Sequence, residues 1–81
     1  MNDIEVKIHQ ILENKLGVDK AVIRDEATFD NDLAIDSLDF CEVIVDIEKA
    51  FDISIPDEAY TKLKTVGSLV QFVTRECHVA A

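Results

Sequence analysis

Ser37 is the residue of this chain with the most chemistry open to it. It lies in Asp36-Ser37-Leu38-Asp39, at the head of a helix-like run and inside an acidic stretch. A serine hydroxyl acts as an enzyme nucleophile only with a base in hydrogen-bond reach and donors for the oxyanion. The histidines are His9 and His78, both distant in sequence, and no G-x-S-x-G elbow surrounds Ser37. His9 reads as a solvent-exposed residue of a helix, and no catalytic residue is expected. The carboxylates raise a second chemistry. Asp30, Asp32 and Asp36 imitate positions 1, 3 and 7 of a calcium loop, but Ile35 stands where that loop needs glycine and Cys41 where it needs glutamate. No dedicated metal site is expected. The acids would hold divalent ions only loosely, through relief of repulsion.

The elements that position Ser37 are helical. Asn2 followed by Glu5 resembles a capping box, and Ile4, Ile8, Ile11 and Leu12 then share one face. Gly17 is a good residue to end that helix, which is predicted from about residue 3 to 16. Residues 17 to 35 fit no single period. They are predicted to hold a short helical turn near Lys20 to Ile23 and a long loop pinned by Phe29 and Leu33. Asp36 can cap a second helix running to about Phe51. Asp39, Glu42, Asp46 and Lys49 form a narrow polar arc on it, bordered by Leu38, Cys41 and Val45. The rest of its circumference is apolar, so this helix is expected to be central and largely buried, with Cys41 as a packed thiol. Pro56-Asp57-Glu58 starts a short third helix to about Leu63, and Thr65 can cap a fourth that is expected to fray after Cys77. In that last helix Val66, Leu69, Val70 and Val73 share a face. The expectation is an all-α four-helix bundle, with three longer helices, one short one and a long loop between the first two.

Composition bounds the function. The 81 residues suit one domain, and 48% hydrophobic content suits a globule rather than a disordered tail. No apolar run reaches the roughly 18 to 20 residues of a membrane span. The N-terminal residues lack a basic leader pattern, so a cytoplasmic location is expected. The spacing of Cys41 and Cys77 fits no metal or redox motif. From Asp25 to Glu58 there are twelve acids against one base, Lys49, while the rest of the chain holds five acids and seven bases. Nucleic acid would be repelled by the acidic side, and proteins with basic patches would be attracted. An exposed hydroxyl at the positive end of a helix dipole, ringed by carboxylates, suits a covalent phosphodiester shown to basic partners. The competing reading leaves Ser37 as an ordinary helix-start residue.

Leu33-Ala34-Ile35-Asp36-Ser37-Leu38-Asp39, with Glu42, Ile47-Glu48, Phe51 and Ile55-Pro56-Asp57-Glu58, closely resembles the acyl carrier protein family. Leu16-Gly17-Val18 and Thr28-Phe29 fit it as well, so the resemblance covers nearly the whole chain, read as a single carrier domain over residues 1–81. It implies that Ser37 is esterified with 4′-phosphopantetheine from coenzyme A, and that Asp36 and Leu38 take part in recognition by the phosphopantetheinyl transferase. It implies a docking face of Asp39, Glu42, Asp46 and Glu48 for basic patches on acyl synthases and transferases, although Glu48 lies off the acidic arc. It implies an acyl chain shielded inside the bundle, with Leu38, Cys41, Val45, Ile55 and Tyr60 as candidates to line its route. A monomeric carrier for fatty-acid synthesis is the reading these features give. The rival is a dedicated carrier for a polyketide, lipid-modifying or aminoacyl pathway, and the alternative of another class is an acidic helical adaptor with no prosthetic group. Ala34 departs from the glycine common in the family, so the loop before Ser37 is expected to take a different path. Phe40, Asp46 and Lys49 depart too, which bears on the identity of the partner enzymes.

Overall fold

In the computed structural model, which describes residues 3–80 and side chains through residue 77, the first helix, α1, spans Asp3–Leu16. Acids in its first turn and Lys15 in its last complement the helix dipole. Asn2, the other half of the expected capping box, lies outside the described residues. Gly17 ends α1 at φ 67, and its N–H donates to the Glu13 carbonyl at 2.9 Å. A residue with a side chain would be strained in that left-handed conformation.

The connection that follows holds a 3₁₀ turn at Lys20–Val22, capped by the Asp19 carboxylate on the Ala21 N–H. Its remainder is stapled by short hydrogen bonds. Asp32 Oδ2 accepts from the Thr28 N–H at 2.8 Å, and the Asp32 and Leu33 N–H groups both donate to the Thr28 carbonyl. Phe29 and Leu33 are buried, as the sequence predicts. Three further bonds tie this loop to the approach to α3: Phe29 N–H to the Lys64 carbonyl, Val66 N–H to Ala27, and Gly67 N–H to Asp25. Thr28 and Thr65 thereby form an isolated antiparallel bridge, the one extended pairing among the described residues.

The second helix, α2, spans Ser37–Phe51, and the third, α3, spans Val66–Ala80, running on past Cys77. Thr65 caps α3: its Oγ1 accepts from the Ser68 N–H at 3.1 Å, and Ser68 Oγ accepts in return from the Thr65 N–H. The short element between them, Asp57–Lys62, is a 3₁₀ helix rather than an α-helical one. α1 packs against both α2 and α3. The core joins Ile8 and Leu12 of α1, Val43, Ile44 and Ile47 of α2, and Val66, Leu69 and Val73 of α3. No helix among the described residues is long and apolar enough to cross a membrane.

Two expectations are corrected here. α2 is not buried over most of its circumference: Leu38 is 75% exposed, Val45 43%, and Cys41 is exposed rather than packed. In a domain this small, neighbours cover only one arc of the helix, and these three residues fall opposite it. His9 is not on the solvent face but buried.

Ala34 adopts φ 54, the left-handed region that glycine favours. Alanine therefore holds, at a cost, a conformation that glycine takes freely. Ala34→Gly should stabilise the fold by about 0.5–1 kcal/mol, because relief of strain outweighs the added freedom of the unfolded chain. Urea denaturation of the two proteins checks this.

Candidate functional site

Ser37 is the first residue of α2, and its position is set by Asp36. The Asp36 backbone is extended, at φ −93 and ψ −178, and its Oδ1 accepts from the Asp39 N–H at 2.9 Å. The Asp36 carbonyl takes the Phe40 N–H at 3.0 Å. The side chain thus satisfies one of the helix's orphan N–H groups, while the carbonyl takes the first intrahelical bond. Behind it, the Ile35 N–H donates to the Phe29 carbonyl, which fixes the direction of entry. Asp36 and Ser37 are both exposed.

A groove of about 280 Å³ opens beside Ser37. Its lining joins Phe29, Asp30, Ile35 and Asp36 before the serine, Phe40 after it, and Tyr60, Leu63 and Lys64 from the far side. Phe40 is sandwiched edge-on between Phe29 and Tyr60, with ring centroids 5.1 and 5.5 Å away. Burial, assisted by the nearby Cys41, Asp57 and Glu48, raises the Tyr60 hydroxyl above its ordinary 10.0, so it stays protonated and can donate.

Tyr60 is the one proposed acyl-route residue on this groove. Leu38, Cys41 and Val45 lie around the helix from it, on an open surface groove with Lys15, Asp39, Glu42 and Asp46. Ile55 is buried in the core. The five candidates do not form one cavity here. Phe29, Ile35, Phe40, Leu63 and Lys64 were not among them. Ile35 and Phe40 are near Ser37 in sequence, whereas Phe29, Leu63 and Lys64 come from segments that the fold brings in.

The expected docking acids also divide. Asp39 and Glu42 are exposed on α2. Asp46 is half-buried and pairs with Lys15 of α1 at 3.1 Å. Glu48 is turned inward: its Oε2 accepts from the buried Ile55 N–H at 2.7 Å, closing the turn after α2. Its carboxylate thereby holds that turn. His9 lies on a different groove from Ser37, with Val6, Gln10, Glu13, Lys20 and Ile23, and the side chain of His78 lies outside those described.

Residues 6–73 match the family described as the phosphopantetheine attachment site. The chain belongs to that family. Its members bear covalently attached 4′-phosphopantetheine and meet phosphopantetheinyl transferases and other enzymes as carriers. The residues around Ser37 fit such a group. The hydroxyl is accessible, and with Asp39 and Phe40 bonded to Asp36, the Ser37 and Leu38 N–H groups are the outward donors for an anion.

The role of Glu48 in this carrier fold is testable. Glu48→Ala should cost about 1–3 kcal/mol of stability, since a buried N–H loses a charged acceptor. Glu48→Gln should recover most of that, and Glu42→Ala should stay within about 0.5 kcal/mol of the parent. Guanidinium unfolding of the three variants decides it.

Proposed function

We propose that Ser37 is the attachment residue and that the protein carries acyl groups as thioesters, with fatty-acid synthesis as the setting. The observation that supports this most is the placement of the Ser37 hydroxyl, exposed at the capped start of α2 and at the mouth of an apolar groove. Bound there, the cofactor supplies a terminal thiol whose thioester activates an acyl carbon for transfer by partner enzymes. The chain's own residues hold and present the load. Asp36 keeps the serine at the head of the helix, and the N–H groups of Ser37 and Leu38 would hold the phosphodiester with the help of the favourable dipole. Phe29, Phe40, Tyr60 and Leu63 offer an apolar wall that can shelter part of an acyl chain from water.

Docking falls to Asp39 and Glu42, with Leu38 as the apolar contact between them and Ser37. Exposed charges beside one exposed leucine favour quick association over tight binding. A carrier that serves several enzymes in turn needs such exchange. Asp46 contributes once Lys15 is drawn away by a competing partner charge.

Loading tests the proposal. Incubated with coenzyme A, magnesium and a broad-specificity phosphopantetheinyl transferase, the protein should gain the mass of one phosphopantetheine group. Ser37→Ala should gain nothing. Asp39→Lys with Glu42→Lys should load about tenfold more slowly at low salt with an unchanged circular dichroism spectrum. A parent protein that takes up no mass, or an alanine variant that still does, would refute the assignment.

A further inference from the structure

His9 is the unexplained polar group of this fold. It is only 9% exposed, and its Nε2 has no hydrogen-bond partner among the described residues. A buried polar atom left unsatisfied costs about 1–3 kcal/mol, so such an atom calls for a ligand. Two carboxylates stand close by. A ring nitrogen of His9 and carboxylate oxygens of Glu5 and Asp25 all lie within 4.8 Å of one another.

The fold builds this arrangement from two directions. Glu5 and His9 are one helical turn apart and share a face of α1. Asp25 comes from the long connection, where its backbone is held: its carbonyl accepts the Gly67 N–H at 2.8 Å. Gly67 is what allows that approach, since a Cβ there would sit 3.0 Å from the Asp25 oxygen.

We propose that Glu5, His9 and Asp25 bind a divalent transition-metal ion of the zinc type. The donor set decides the class. Magnesium and calcium take oxygen ligands, whereas an imidazole nitrogen with two carboxylates suits zinc and its first-row neighbours. Three protein ligands leave a position for water. Zinc bonds of about 2.0–2.2 Å place tetrahedral ligand atoms roughly 3.4 Å apart. The side chains must therefore draw together by about 1.4 Å at most, which the exposed Asp25 can do by rotation. The ion gives the buried imidazole a partner and offsets the repulsion between the carboxylates. It also clamps α1 to the loop that Gly67 ties to α3. None of the three residues lines the groove at Ser37, so the site is independent of cofactor attachment.

The test uses the full chain with Cys41→Ser and Cys77→Ser, which removes competing thiolates. Zinc chloride is titrated into ¹⁵N-labelled protein, with the imidazole nitrogens followed by NMR and the melting temperature measured in parallel. The expected result is a saturable shift of the His9 ring nitrogens at one ion per chain and a rise in melting temperature. Asp25→Asn, an exposed change that spares the fold, should weaken binding about tenfold or more and remove that rise. Asp39→Asn should leave both unchanged. The proposal is overturned if the His9 signals stay fixed at saturating zinc, if Asp25→Asn binds as well as its parent, or if Asp39→Asn is the variant that loses the ion.

Discussion

Burial of Val43, Ile44 and Ile47 decides which way every other residue of α2 points. All three are fully enclosed, with α1 packed against α2 and the core residues of α3 and the loop in the same cluster. Each contributes about 1.5–3 kcal/mol by leaving water. A small domain has about 5–15 kcal/mol of stability in all, so rotating α2 about its axis would forfeit much of it. Ser37 is fixed at the edge of the buried arc, with the groove on one side. Leu38, Asp39 and Glu42 are held outward by the same constraint. The orientation of the functional face is thus a consequence of the core and needs few contacts of its own.

The second constraint is the long connection between α1 and α2. Its hydrogen bonds run within Thr28–Asp32 and across to the start of α3. A twenty-residue segment whose one regular element is a 3₁₀ turn would otherwise be costly in entropy. Here it forms one wall of the groove through Phe29 and Ile35, and it carries Asp25 to His9. Ala34 bears the strain of the turn that delivers the chain to Asp36. Glu48 completes the frame at the other end of α2 by holding Ile55.

The helix ends were legible in the sequence because each is written in one or two residues. Asp36, Gly17 and Thr65 cap through their own side chain or backbone freedom, and the structure uses each as read. The attachment-family pattern around Ser37 was legible for the same reason, being local. Exposure was less so. Periodicity shows an apolar arc on α2 but not how many neighbours exist to cover it, so the exposure of Leu38, Cys41 and Val45 at its border is not written in the helix. His9 went the other way, because the loop that encloses it lies more than ten residues off in sequence. Glu48 sat off the acidic arc on the helical wheel, and its partner in the Ile55 turn accounts for that. The groove lining was illegible where it depends on Leu63 and Lys64 meeting Phe29, a pairing only the folded chain makes.

In the proposed function, one oxygen atom, placed by a capped helix on a rigid core, is a point of covalent attachment. Peptide mapping by mass spectrometry of the protein taken from its own cells tests this most directly. The peptide containing Ser37 should bear a phosphodiester-linked arm ending in a thiol or thioester. Finding that peptide bare in every preparation, or the arm on another residue, would contradict it.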